Sequence, residues 1–160
     1  MNYPDPQFII DALDETHISS RGAHLFEVFN LKEKDLRPDP MSQQGRRIYE
    51  DKTRGFQLEY EDEGRRKKIV DHEIGKGPWV LDQFFLRSGI SGGNPYPGVL
   101  PYGIKFEMNR TELGALLGPP VSSNQRVEIW SRAPIRLLLN YEPKSGAIKS
   151  VGMQLLESKI

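Results

Sequence analysis

Sixteen consecutive positions near the middle of the chain, Ser88 to Gly103, hold five Gly and three Pro. Proline has no amide to donate, and glycine loses the most backbone entropy on ordering, so neither a helix nor a central strand runs through such a segment. The chain has to fold from what lies on either side: a first unit over residues 1–88 and a second over 104–160, with 89–103 as the connection. At 160 residues the expectation is one domain in which the two units share a core. A chain of that size buries roughly 68–70% of its extended surface, enough to fold without staples, and it has no cysteine to make any.

Both sides carry the same signals. Phe56, Leu58 and Tyr60 alternate with Gln57, Glu59 and Glu61, a period of two that puts the first set in a core and the second in water. Further strands are expected at 68–74, 79–86, 126–131, 135–141 and 147–155. Asp5 before Pro6 reads as a helix start. Gly22 reads as an interruption, and the apolar stretch 23–31 fits either a helix or a strand. Asn30/Glu33 and Asn109/Glu112 both have the spacing of a capping box. The first of these helices is expected to stop at Arg37-Pro38, ahead of a polar loop from Met41 to Gly45. The second presents Leu113, Leu116 and Leu117 on one face and ends at Gly118-Pro119-Pro120.

Displacing the chain by 81 positions puts Tyr49 on Trp130, Leu58 on Leu139, Tyr60 on Tyr141 and Val70 on Val151. Leu36 falls on Leu117 and Pro38 on Pro119. The expectation is a tandem repeat of a helix plus a β-meander. Two such units make an α+β fold, an antiparallel sheet with helices on one face and the other face partly open to solvent.

Composition limits the function. The 22 basic side chains are matched by 22 acidic ones, so there is no cationic surplus to hold phosphate, and no nucleic-acid partner is expected. No apolar run is long enough to cross a bilayer, and residues 1–6 lack the basic and apolar regions of a signal peptide, so a cytoplasmic protein without a membrane partner is expected. His17 and His24 are seven apart and have no metal-pair spacing; neighbours in Asp71-His72-Glu73 would point to opposite faces of a strand. No motif for a nucleophile elbow, a phosphate loop, a zinc protease or a dinucleotide site is present. The expectation is no catalytic residue, metal or cofactor.

Charge is concentrated at one place. Glu59, Glu61, Asp62 and Glu63 gather carboxylates at an expected turn, followed at once by Arg65-Arg66-Lys67-Lys68. The simplest reading of the two runs is a self-neutralising hairpin. The acidic turn also suits an inhibitor that offers carboxylates to a basic cleft and gains association rate by steering. Trp79, just after Gly75-Lys76-Gly77-Pro78, could join it at a loop edge. Glu59, Glu61, Asp62, Glu63 and Trp79 are therefore the candidate partner-binding residues. Trp130 and Leu117 are expected in the core.

One stretch carries a resemblance. Leu100-Pro101-Tyr102-Gly103-Ile104, Asn109-Arg110-Thr111-Glu112-Leu113, Leu117-Gly118-Pro119-Pro120, Trp130, Leu137-Leu138-Leu139-Asn140-Tyr141 and Gly146-Ala147-Ile148 follow one another in an order that resembles two groups. One is the beta-lactamase inhibitor protein-like fold, shared with small outer-membrane assembly lipoproteins. The other is a set of bacterial immunity proteins that neutralise polymorphic or contact-dependent toxins, and Tyr96-Pro97-Gly98-Val99-Leu100-Pro101 favours it. The match covers about residues 96–155. The chain departs from the lipoproteins in having no lipid-attachment cysteine, and from many nuclease-immunity proteins in its balanced charge. The resemblance implies a protein that binds and occludes a cognate toxin domain, and it brings no catalytic residues with it. An uncharacterised small cytosolic enzyme, or an assembly or scaffold protein of the same fold, are the alternatives.

Overall fold

The computed structural model describes residues 2–41 and 44–159; Ser42 and Gln43 of the expected polar loop lie outside the described residues. Eight strands form one antiparallel sheet: β1 (Arg37–Pro38), β2 (Arg46–Asp51), β3 (Phe56–Asp62), β4 (Trp79–Arg87), β5 (Ser122–Ser123), β6 (Val127–Arg132), β7 (Ile135–Tyr141) and β8 (Ile148–Leu155). Their spatial order is β1-β2-β3-β4-β8-β7-β6-β5. Each half is thus a four-stranded meander, and the halves join through their last strands. Leu86 pairs with Val151 and Phe84 with Met153 at that seam.

Four α-helices accompany the sheet: α1 (Pro6–Ala12), α2 (Ser20–Val28), α3 (Glu63–Lys67) and α4 (Arg110–Leu117). The fold is α+β, and its core sits between one sheet face and helices α1, α2 and α4. Ile9 and Leu13 at α1, Leu25 and Phe29 at α2, and Leu113 and Leu117 of α4 meet Phe56, Leu58, Phe84, Leu137, Leu139 and Met153 in one continuous cluster. Trp130 and Leu117 are both buried in it.

Local chemistry explains the helix starts. Asp5 accepts from Gln7 N at 2.8 Å ahead of Pro6. Ser19 Oγ accepts from Gly22 N at 3.1 Å, so α2 begins just before the glycine read as an interruption. Gly22 is needed inside the helix, because a Cβ there would lie 1.8 Å from the Thr16 carbonyl oxygen. The Asn109 capping box forms as its spacing predicts: Glu112 N donates to Asn109 Oδ1 at 2.9 Å and Asn109 N to Glu112 Oε1 at 3.2 Å. The Asn30/Glu33 box does not form. Asn30 has a positive φ of 54°, and a single 3-10 turn over Glu33–Asp35 follows, with Lys32 N donating to Asp35 at 2.8 Å.

The expected strand at 68–74 is absent. The residues after Asp62 turn into α3 and then a loop that returns to β4, with Lys68 and Asp71 at positive φ. The connection 89–103 is tied down at its start. Tyr96 N donates to Arg87 O and Asn94 N to Lys52 O, both at 2.8 Å. Gly55, at φ +72°, lets this segment lie against the β2–β3 turn; a Cβ there would come within 2.4 Å of Tyr96 N.

Two register shifts occur at related places. One falls between Glu59 and Tyr60 opposite β4, the other between Asn140 and Tyr141 opposite β8. Each leaves one extra residue on the facing strand, Asp82 on β4 and Lys149 on β8. The two hairpins differ by two positions, Tyr49 facing Leu58 and Trp130 facing Leu137. An offset of two keeps every side chain on its own face.

Candidate partner-binding face

The sheet face turned away from the core cluster carries the other half of each alternation. Across it runs the row Gln57, Phe85, Gly152, Leu138, Ile129, one residue from each of five neighbouring strands. Phe85, Leu138 and Ile129 are half-buried. Gly152 makes the row possible. A Cβ there would stand 2.7 Å from Phe85 Cε1, so the ring occupies the space over the glycine backbone. Beside the ring opens a cleft of about 290 Å3, lined by Gln57, Glu59, Phe85, Arg87, Lys149 and Ser150, with the loop of Gly89, Ser91 and Gly92 at its end.

The polar groups around this cleft are mostly engaged. Arg87 Nη2 lies 2.7 Å from Glu50 Oε2 and also donates to Gln57. Asn140 Nδ2 donates to Ser150 Oγ at 3.0 Å. Gln57 Nε2 donates to Glu59 Oε2 at 3.0 Å. Burial pushes the Glu59 pKa up, the Gln57 bond pulls against it, and the charges of Asp39 and Asp82 push it further up.

Glu61 lies on the same face in a different setting. Arg46 Nη2 is 3.2 Å from Glu61 Oε2, Arg65 Nη1 3.1 Å from it, and Arg66 Nη1 3.5 Å from Oε1. The network continues through Asp82, 2.8 Å from Arg66 Nη1 and 3.3 Å from Arg46 Nη1, and through Asp14, 2.6 Å from Arg66 Nε. Gln154 Nε2 donates to Asp82 at 3.3 Å, and Ser158 Oγ to Asp14 at 2.9 Å. The acidic and basic runs do neutralise each other, but through a helix placed over a strand instead of across a hairpin.

The other candidates from the sequence face elsewhere. Asp62 is fully buried and caps α3. Its carboxylate accepts from the amides of Gly64 (2.8 Å), Arg65 (3.2 Å), Gly75 (3.0 Å) and Gly77 (2.8 Å), and His72 Nε2 lies 2.9 Å from Oδ1. Burial alone would raise its pKa; the Gly77, Gly75 and Arg65 amides and the His72 charge outweigh that and hold it below the usual carboxylate range. Glu63 is half-buried and pairs with Lys67 at 3.3 Å. Trp79 is buried in the core cluster, with the Arg47 guanidinium 4.3 Å over its ring. Its backbone N donates to His17 Nδ1 at 3.0 Å. Glu59 and Glu61 therefore share the open face, while Asp62 and Trp79 are held inside the chain.

Phe85, Arg87, Leu138, Asn140, Lys149 and Ser150 are the residues of this face that sequence reasoning missed. The run from Trp79 to Leu86 is nearly all apolar, so alternation alone does not assign its sides. The extra residue Asp82 then reverses the phase halfway along. Among the described residues, no group of three or more His, Cys, Asp or Glu could hold a metal ion, and no helix is long and apolar enough to cross a membrane. Comparison of the chain with protein-family models, with curated proteins and with solved structures found no match.

Proposed function

We propose that this chain is an immunity protein, an inhibitor that binds one cognate bacterial toxin domain in the cytoplasm and blocks it by occlusion with the open face of its sheet. The observation that carries the reading is the row Phe85, Gly152, Leu138, Ile129, an apolar stripe left half-exposed on a rigid face and flanked by polar groups already fixed by hydrogen bonds. A face held in this way loses little side-chain freedom on binding, and an aromatic anchor beside a cleft is the usual kind of residue on which an interface depends. The resemblance of residues 96–155 to inhibitors that act by occlusion points the same way.

A tandem repeat underlies the same reading. The matching strand order in the two halves supports it, as do the register shifts before Tyr60 and Tyr141, which are 81 residues apart. Joining two meanders through their last strands makes one continuous face from strands of both halves.

The test is co-expression with the product of the reading frame beside the protein's own gene. Reversing the charges at Glu61, Asp62 and Glu63 would disrupt an ion network and a helix cap, so variants of the apolar row test binding more cleanly. Wild type should protect cells and co-purify with the toxin domain. Phe85→Asp and Leu138→Asp should lose both while keeping a wild-type circular dichroism spectrum. Full protection by those folded variants, or no capture of any neighbouring product by wild type, would overturn the proposal.

A further inference from the structure

The strands carry seven carboxylates: Glu50, Asp51, Glu59, Glu61, Asp62, Asp82 and Glu128. Six have an arginine or histidine nitrogen within 4.0 Å: Arg87 at Glu50, Arg54 at Asp51, arginines at Glu61 and Asp82, His72 at Asp62 and Arg110 at Glu128. Among the described residues, Glu59 is the exception. Its one hydrogen bond comes from the neutral amide of Gln57. The arginine whose charge acts on it, Arg46, is already held by Glu61 and Asp82. Asp39 and Asp82 add negative potential around it.

A half-buried carboxylate in such surroundings is under-compensated, and the fold spends stability to keep it there. We infer that Glu59 is the receptor for a basic side chain of the protein partner, an arginine that enters the cleft, pairs with the Glu59 carboxylate and lies against the Phe85 ring. The inference rests on the open face being the binding surface. Arginine fits better than lysine, because its planar guanidinium bonds a carboxylate through two parallel N–H groups and stacks on an aromatic face. Arg87 does not oppose it, since its charge is met by Glu50. Lys149 is the exposed cation at the cleft wall and would meet an acidic neighbour of that arginine on the partner.

Glu59→Gln keeps the size of the side chain and removes the charge. Because burial raises the Glu59 pKa, the ionised form is penalised in the folded state, so this variant should be at least as stable as wild type at pH 7. Two measurements test the inference. First, titration of the whole chain with arginine amide, followed by NMR, should give saturable shifts at Gln57, Phe85 and Gly152; norleucine amide should give none, and neither should arginine amide on Glu59→Gln. Saturable binding of glutarate at Lys149, with none of arginine amide, would overturn the inference in favour of an acidic ligand. Second, affinity for the neighbouring toxin domain should fall roughly thirtyfold or more in Glu59→Gln, mainly through faster dissociation, and much less in Lys149→Gln. Toxin binding by wild type with no loss in Glu59→Gln would overturn the inference and leave the immunity reading standing. No toxin binding by wild type would overturn the immunity reading, and the arginine-amide titration would then decide the inference alone.

Discussion

A single carboxylate, that of Asp62, holds both ends of the segment between β3 and β4. Its two oxygens take the amides of Gly64 and Arg65 on one side and those of Gly75 and Gly77 on the other. The close fit of His72 completes the clasp: a Cβ on Gly64 would stand 1.9 Å from His72 Cδ2. Asp62→Ala leaves four amides without their acceptor and should cost about 3–5 kcal/mol, the range for breaking a buried charge network. The pH dependence has a definite sign. The folded-state pKa lies below the unfolded value of about 3.9, so the stabilisation is fully present above that value and is lost as pH falls through the folded one. Asp82 and Asp51, also lowered, add to the same acid limb. Urea midpoints measured from pH 2 to pH 7 should fall on the acid side for wild type and show a shallower fall in Asp62→Asn. Parallel curves for the two proteins would show that Asp62 does not drive the transition.

Among the elements, α4 depends on its two ends. Asn109 closes the capping box at its start, and at the other end Trp130 Nε1 donates to Gly118 O at 2.9 Å, fastening the helix to β6. Trp130→Ala should lose roughly 3–5 kcal/mol, as expected for a large core side chain, and Asn109→Ala about 1 kcal/mol, as expected for a cap. Denaturant unfolding checks both, and a loss below about 1 kcal/mol for Trp130→Ala would contradict its place in the core. Although Leu116 of its expected face is exposed and the like spacing at Asn30/Glu33 yields only a 3-10 turn, helix α4 was legible because its signals are local, a cap and the buried pair Leu113 and Leu117. The same holds for β3, whose alternation places Phe56, Leu58 and Tyr60 in the core as read. Residues 68–74 were not legible. Their apolar members, Ile69, Val70 and Ile74, stay exposed, because Asp62 and its amide partners draw that chain into a clasp by contacts 2 to 15 residues apart in sequence. In the sequence Glu59 stands out by its charge alone. Its distinguishing property, the want of a cation, depends on where the arginines of α3 and β2 go, and no short-range pattern records that.

At the level of the whole molecule, one core cluster spans both meanders, and the ion network ties Asp14, Glu61 and Asp82 of the first half to Gln154 and Ser158 at the end of the second. The halves should therefore unfold together. The chain has two tryptophans, Trp79 in the first half and Trp130 in the second, both buried. Fluorescence of the Trp79→Phe and Trp130→Phe variants then reports each half separately, and in each variant the tryptophan midpoint should coincide with the far-UV transition of that same variant. A tryptophan signal that departs from its own variant's backbone transition would show that one meander melts on its own. The outer rims of the sheet add a separate consequence. β1 and β5 are two residues long and exposed, and Pro38 has no N–H to give. A strand laid alongside either rim finds almost no ladder to extend, so the rims are poor templates for stacking copy on copy. Short rims of this kind leave the broad, partly apolar face as the main surface on offer, so a partner of the proposed kind would approach from above the plane of the strands.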